Sequence, residues 1–593
     1  MTTGDQNCET GAANLAFARA LVAELHACGV VTAVVCPGSR STPLALAVAL
    51  QDGLAHRVHL DERNAAFHAL GHAKASGQPV VLVCTSGTAG ANFLPAVAEA
   101  CHARVPLVVL TADRPPELRA WGAAQTMEQR TLYAGFTRWS EEAPCPSERA
   151  GSQRYARALA RRAVAAATGP APGPVHLNLP FREPLVPTVV EPGSAPAAPP
   201  QTVAGHRPRP RDPALVTIAA ELRGVSRGVS RGVLVFGPDA WDPSLAAAAA
   251  TIASALGWPV LADPASGLRA GAELAPSLIS GADLLLGDPA TAAALRPERV
   301  VRFGGLPTSK PIAQWLAAHE AAELWLVDPA GAFRDPEHRA SRVLHVTAAD
   351  LATQLAGTGP APDEAATWRG RWQQADRLAR AAVDELLQAD GRLLGPQVAH
   401  ALWAELPGDA ALYVANSMPV RELDAFAGPR STPLRVLANR GVNGIDGQVS
   451  SATGAAAALA RPTVLWCGDL AFLHDLGGLL AARLHGDQLT VVVTNDDGGG
   501  IFEYLAVARA LPRSVFEPLF AVPHGRDLSG IARGLGWEAL RVDEPGALAS
   551  ALRTALRGGL HVIEVPVDRA ANTALHGTLR EAVRTRLDRE FRP

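Results

Sequence analysis

The sequence predicts an α/β protein built from three successive doubly wound, parallel-sheet domains. Three observations lead there. At 593 residues the chain is too long for one hydrophobic core, and two to four domains are expected. Short β-branched runs alternate with Ala-rich helical stretches, the rhythm of strand–helix–strand crossovers. A stretch without periodicity, EPGSAPAAPPQTVAGHRPRPRDP at 191–213, is rich in Pro and poor in large apolar side chains, so it reads as an extended linker.

Each block can be read in order. Residues 1–190 hold TAVVCPGSR, PVVLVCTSGTAG, PLVVLTADRPP and GPVHLNLP, each an apolar strand that ends in a polar or Gly/Pro loop. After the linker, RGVSRGVSRGV (223–233) is a short tandem repeat that does not continue, so it does not make a solenoid. Residues 214–360 repeat the strand rhythm in GVLVFGPDA, WPVLADPAS, ADLLLGDPA and ELWLVDPAG. A polar helical connector is expected over 361–390. Residues 391–593 form the third block, with strands in LYVANSMPVRE, LRVLANRGVNG, TVLWCGDLAF, LTVVVTNDDGGG and LHVIEVPVD. Ligands are expected at the carboxyl ends of such strands.

A formal charge of −3, with 48% hydrophobic and 19% charged residues, gives no support for a nucleic-acid or anionic-membrane partner. The seven cysteines are scattered without a C-x-x-C pair, which suits buried thiols in a reducing compartment and argues against zinc. The N-terminus MTTGDQNCET has no signal-peptide pattern, and no apolar run is long enough to span a bilayer. A cytoplasmic protein is expected.

The stretch VVVTNDDGGGIF (491–502) ends a buried strand in acids and glycines. Glycines allow close backbone approach, and side-chain oxygens suit a hard cation. Gly468-Asp469 ends the preceding strand, one crossover away from Asp496, so the two aspartates can share a cation at one sheet edge. Either motif alone also fits a helix cap or a turn. In the first block, VHLDERNAAFHALGHAKASGQPV sets Glu62 between a strand and a helix with an apolar stripe of Ala66, Ala69, Leu70 and Ala73. Desolvation there would suit a proton-sharing carboxyl, although Asp61 or Glu62 equally fits a helix cap.

The G-D … N-D pairing resembles the thiamine-diphosphate signature G-D-G … N-N, with Leu470 at the third glycine and Asp496 where Asn is commoner. By that resemblance Asp469, Asp496 and the Gly498 carbonyl hold Mg²⁺ (Mn²⁺ is also possible), and Glu62 engages the cofactor's aminopyrimidine. Ile445 props the cofactor in its bent shape, Ile501 and Phe502 wall the pocket, and Asp497 is a loop residue. The glutamate domain of one subunit then faces the metal domain of another, in a homodimer or a dimer of dimers.

Further stretches narrow the resemblance: CPGSRSTPLALA, TSGTAGANFLPA, LTADRPPELRAWGAAQTMEQ, ANSMPVRELD, ANRGVNGIDG and, in the middle block, VVRFGGLPTSKP. Together they resemble the 2-succinyl-5-enolpyruvyl-6-hydroxy-3-cyclohexene-1-carboxylate (SEPHCHC) synthase family of menaquinone biosynthesis. The resemblance implies decarboxylation of 2-oxoglutarate on thiamine diphosphate and addition of the succinyl unit to isochorismate. It also assigns substrate contacts to Ser39, Arg40, Arg114, Gln125, Ser417, Arg421 and Arg440, with Lys310 a weaker one. Guanidinium forks suit such dicarboxylates. Arg119 competes with Arg114 for its role, and Ser41 and Thr42 read equally as helix caps. The alternatives are another thiamine-dependent 2-oxoacid decarboxylase or acetohydroxyacid-type synthase, and a non-catalytic nucleotide-binding regulator. No G-x-G-x-x-G follows a strand, which weakens the last. Nothing in the middle block calls for a second cofactor.

Overall fold

The computed structural model describes residues 3–149, 151–190, 192–193, 213–223, 229–239, 242–357, 359 and 361–592. The linker expected over 191–213 lies largely outside them, as do residues 224–228 of the tandem repeat.

Three all-parallel sheets carry the fold. The first holds β1 (Thr32–Val35), β2 (Ala55–Val58), β3 (Val80–Cys84), β4 (Leu107–Asp113), β5 (Trp139–Glu142) and β6 (Val175–Pro180), in the order β2-β1-β3-β4-β6-β5. The central sheet is built from β7 (Gly232–Phe236), β8 (Val260–Ala262), β9 (Arg299–Phe303), β10 (Glu323–Val327) and β11 (Ala340–Leu344), ordered β11-β10-β9-β7-β8. The third has β12 (Ala411–Val414), β13 (Arg435–Leu437), β14 (Thr463–Gly468), β15 (Leu489–Asn495), β16 (Glu538–Arg541) and β17 (Leu560–Pro566), ordered β13-β12-β14-β15-β17-β16. The first and third sheets thus share one topology.

Successive residues of a strand point to opposite faces, so a sheet covered on both sides needs an apolar residue at nearly every position. In β1, Ala33 and Val35 join one core cluster while Val34 and Cys36 join the other. In β3, Val81 and Val83 face one way, and Val80, Leu82 and Cys84 the other. Among the described residues, four of the six edge strands, β2, β5, β11 and β16, are partly or largely exposed and polar, which is why β5, β11 and β16 leave no apolar signature in the sequence.

One expected strand is corrected. ADLLLGDPA forms a short helix, Ala282–Leu286, and the central sheet takes RVVRF (β9) instead. Leucine favours helix more than the β-branched residues of β9 do. The helix also finds a partner for its start: the Asp376 carboxylate accepts from the Gly281 N–H at 2.6 Å and the Ser280 N–H at 3.2 Å. The polar connector is one long helix, Asp363–Ala389.

By packing, residues 1–205, 439–460 and 474–488 form one compact unit, and residues 206–438, 461–473 and 489–593 form the other. Within the first unit the Glu62–Ser76 helix crosses the Gln448–Leu459 helix at backbone contact. A Cβ on Gly71 would sit 1.8 Å from the Ser451 carbonyl oxygen, and one on Gly454 would sit 1.9 Å from that of His68. Each glycine therefore receives the other helix's backbone. Behind the same helix lies a group of histidines. The His59 ring lies 4.7 Å from that of His68 and 5.1 Å from that of His485, with Arg57 adding positive charge nearby. Neither His59 ring nitrogen has a hydrogen-bond partner. Burial pushes His59 down to about 3 and His72 to about 4, and holds His68 well below the usual histidine range. Among the described residues, no helix is long and apolar enough to cross a membrane.

Two predictions follow from this packing. Gly71→Ala should lower stability by about 3 kcal/mol or more, since the added methyl meets backbone. Gly370→Ala, in a helix with open space around it, should be neutral or stabilising by about 0.5–1 kcal/mol. Urea denaturation of the two variants beside the parent checks both. The second concerns acid. The folded histidines bind fewer protons than unfolded ones, so their contribution is fully present above the ordinary histidine value of 6.5. It falls away as pH drops toward about 3–4, by up to about 1.4 kcal/mol per histidine per pH unit. His59→Leu should flatten the decline of the melting midpoint between pH 6.5 and 5; a slope equal to the parent's would contradict this account.

Candidate active site

The residues singled out in the sequence fall into two groups, one in each packing unit.

In the first unit, Glu62 opens the Glu62–Ser76 helix just beyond the carboxyl end of β2 and is half-buried. Its carboxylate is not the cap. Asp61 is the N-cap and accepts from the N–H groups of Arg63 at 2.8 Å and Asn64 at 3.3 Å. Glu62 is thereby left for other work. After burial itself, its negative charge is among the influences that hold the buried Cys36 and Cys84 thiols well above the usual thiol range, so the carboxylate lies near the carboxyl ends of β1 and β3.

Ser39 is exposed in the loop after β1, and Arg40 beside it is buried. Arg40 donates to the Phe181 carbonyl at 3.0 Å and pairs with Glu183 at 2.7 Å. Arg114 follows β4 and donates to the Ser86 hydroxyl, while Gln125 donates to the Ser86 carbonyl at 3.1 Å. Burial, then the neighbouring Arg40 charge, lowers Arg114 from its ordinary value, so the two guanidinium groups share one region. Ser86 in T-S-G-T thus joins residues that the sequence offered separately. Arg119 is committed elsewhere, to Asp113 at 2.9 Å and Glu142 at 2.7 Å. That leaves Arg114 as the arginine beside Arg40.

Arg440 and Ile445 are both half-buried in the loop before the Gln448–Leu459 helix. The carboxylate of the wholly buried Glu99 accepts from the loop's Gly441, Val442 and Asn443 N–H groups. The sequence reading missed Glu99. Its only signal is an acid within the apolar helix LPAVAEACH.

In the second unit, Asp469 and Asp496 follow the adjacent strands β14 and β15. Asp469 is 2% exposed. It accepts from the Leu470 N–H at 2.6 Å, the Gly498 N–H at 2.8 Å and His524 Nε2 at 3.1 Å. The Arg526 N–H donates to His524 Nδ1 at 3.0 Å, so the neutral ring carries its proton on Nε2 and donates to Asp469. His524 is a second residue the sequence did not reveal. Asp497 holds it in place, accepting from the His524 and Gly525 N–H groups at 2.9 and 2.7 Å.

Burial, and then the Asp469 charge, push Asp496 up to about 8. Two carboxylates close enough to shift one another, Asp469 buried and Asp496 half-buried, are an under-compensated negative pair that fits a hard divalent cation. Among the described residues no group of three or more His, Cys, Asp or Glu is arranged to hold a metal ion.

The glycine run also has a clear cause. Gly498, at φ 136°, packs where a Cβ would lie 2.0 Å from the Ala521 carbonyl oxygen. A Cβ on Gly500 would lie 1.7 Å from Asp496 Oδ2. One glycine admits the neighbouring chain and the other admits the aspartate's own carboxylate. Ile501 and Phe502 follow in a half-buried 3₁₀ turn, with Phe502 edge-on to Phe520 at 5.6 Å. Asp496 also lines an open cleft of about 1240 Å³ that includes Arg513, Arg526 and Arg569.

Ser417 stands at the carboxyl end of β12 with φ 72° and ψ −129°, a strained conformation for a residue with a side chain. Arg421, one turn on, is exposed and donates to the Ser417 carbonyl at 2.5 Å. Lys310 is exposed at the head of the Lys310–Ala318 helix, after β9 of the central sheet.

Comparison with known proteins bears on the family and the fold. Residues 15–132 match the thiamine pyrophosphate enzyme N-terminal binding domain, 225–414 the middle domain, and 424–565 the C-terminal binding domain. The 2-succinyl-5-enolpyruvyl-6-hydroxy-3-cyclohexene-1-carboxylate synthases of Geobacillus kaustophilus and Myxococcus xanthus are each 44% identical, over 95% of this chain and 96% of theirs. That of Halobacterium salinarum is 44% identical over 94% of this chain and 96% of its own. The benzoylformate decarboxylase of Polynucleobacter necessarius superposes with a TM-score of 0.69 at 18% identity, over 93% of this chain and 98% of that one. A thiamine diphosphate-dependent 4-hydroxybenzoylformate decarboxylase of Rhodococcus jostii gives 0.68 at 17%, over 93% and 99%. These last two likenesses establish the fold, three parallel-sheet α/β domains, and the near full-length identities establish more: the chain belongs to the SEPHCHC synthase family of thiamine pyrophosphate enzymes.

Proposed function

We propose that this chain is a SEPHCHC synthase acting in menaquinone biosynthesis, decarboxylating 2-oxoglutarate and joining the succinyl unit to isochorismate. The observation that carries the chemistry is the pairing of buried Asp469 with half-buried Asp496 at the carboxyl ends of β14 and β15. Family membership carries the substrate choice.

Asp469, Asp496 and the Gly498 carbonyl would hold Mg²⁺ or Mn²⁺ and through it the diphosphate of thiamine diphosphate. When bound, the cofactor supplies a carbanion centre that takes up and releases the acyl group. His524 keeps Asp469 turned toward its ligand position by fixing one carboxylate oxygen. Glu62 holds the exchangeable proton at its carboxyl group, free of capping duty because Asp61 performs it. Ile445, Ile501 and Phe502 form apolar walls that exclude water.

Arg40 and Arg114, with Ser39 and Gln125, offer one cationic region for a dicarboxylate; Arg440, Ser417, Arg421 and Lys310 supply further contacts. The working form is a cytoplasmic homodimer, alone or paired into a tetramer, in which Glu62 serves its partner's metal half. Residues 1–190 act as the pyrimidine domain, 214–360 as the central domain and 391–593 as the diphosphate domain, with 191–213 and 361–390 as connectors.

The direct test incubates purified protein with thiamine diphosphate, Mg²⁺, 2-oxoglutarate and isochorismate and identifies the product by mass. Isochorismate-dependent loss of 2-oxoglutarate is expected, and turnover of pyruvate alone would favour a general 2-oxoacid decarboxylase. Glu62→Gln should lower kcat by roughly 10²–10⁴-fold while calorimetry still shows cofactor binding. A chelator should abolish cofactor binding and added Mg²⁺ should restore it. Asp469→Ala should raise the Mg²⁺ concentration needed by about tenfold or more.

A further inference from the structure

We propose that Glu99 is a positioning residue for this site: it pins the Gly441–Asn443 turn, and with it Arg440 and Ile445, to its own helix and, through Lys74, to the helix that carries Glu62. The inference rests on the roles given to those three residues under the proposed function.

Glu99 projects from the Leu94–His102 helix and is wholly buried. Its carboxylate accepts three successive backbone N–H groups, Gly441 at 2.9 Å, Val442 at 2.7 Å and Asn443 at 2.9 Å. Such a run of amides forms a concave anion seat, here occupied by the protein's own carboxylate. The approach is so close that a Cβ on Gly441 would lie 2.7 Å from Glu99 Oε2. Lys74 Nζ stands 3.6 Å from Glu99 Oε1 and 3.3 Å from Asn439 Oδ1. Lys74 belongs to the same helix as Glu62.

The chain of contacts continues beyond the turn. Asn439 Nδ2 donates to Ser451 Oγ at 2.9 Å. Asn443 Nδ2 donates to Asp446 Oδ1, and Gln448 Nε2 to Asn443 Oδ1, both at 2.7 Å. Ile445 lies within this bracket and Arg440 between its first two anchors. The Arg440 charge reaches Lys74, where it opposes protonation, so the two cations are neighbours. A buried ion pair adds little net stability over an apolar pair of the same volume. What an apolar pair could not supply is the fixed direction of three amide bonds, and that direction sets the turn.

Three variants test this. Glu99→Gln keeps the volume but loses the charge and presents an NH₂ to backbone donors. Glu99→Asp keeps the charge on a shorter stem. The double variant Lys74→Met with Glu99→Gln removes the charge imbalance. Hydrogen exchange of peptides spanning 436–447 should rise in Glu99→Gln and stay raised in the double variant, even where the melting midpoint recovers. Calorimetric affinity for thiamine diphosphate and the KM for isochorismate should each worsen by roughly tenfold or more in both, with partial rescue by Glu99→Asp. Parental exchange in Glu99→Gln, or recovery of cofactor affinity together with the melting midpoint in the double variant, would overturn the proposal. Absence of isochorismate turnover in the unmodified protein would instead remove the functional reading, leaving the exchange result to stand alone.

Discussion

The contact on which the rest of the first unit depends is the crossing of two helices at backbone distance. Gly71 receives the carbonyl of Ser451 and Gly454 that of His68. Larger residues would hold the helices apart, and several side chains need them close. Asn64 reaches the Ser450 hydroxyl at 3.0 Å, His68 Nδ1 lies 3.2 Å from the Thr453 hydroxyl, and Lys74 reaches Asn439. The Glu62–Ser76 helix is therefore held along its length by side chains as well as by the glycine crossing. Packing at this range leaves no room for a relaxed substitute.

Buried acids are balanced to different degrees. In the first unit Glu99 is balanced by amides and Lys74, and Asp113 by Arg119 and Asn178. In the second, Asp469 is oriented by hydrogen bonds, but Asp496 remains under-compensated beside it. Its neighbour Arg569 is shared with Glu503 and Glu517 at 3.7 and 3.3 Å. An unbalanced buried carboxylate costs stability unless a ligand balances it, so this is where binding has most to contribute.

The repeated sheet topology shows how two similar scaffolds acquire different chemistry. In the first sheet the loops after β1, β2 and β4 carry Arg40, Glu62 and Arg114; in the third, the loops after β12, β14 and β15 carry Ser417, Asp469 and Asp496. Parallel strands deliver all their carboxyl ends to one edge, so residues far apart in sequence meet without long excursions of the chain.

Much of this was legible in the sequence. Apolar strands ending in polar loops marked most of the sheet strands, because a strand buried on both faces must be apolar throughout. The Gly-Asp and Asn-Asp-Asp-Gly stretches stood out in the sequence too, because each ends an apolar strand in acid and glycine. The edge strands β5, β11 and β16 did not, because half-exposed strands carry ordinary polar residues, and the Leu run at 282–286 was read as strand because a short apolar run fits either structure. Only the tertiary structure brought Glu99, His524 and Ser86 into view, and only it showed Arg119 paired with Asp113 and Glu142 while Arg114 lies beside Arg40. Those contacts come from direction and distance between chain segments remote in sequence, and a local pattern of residue types records neither.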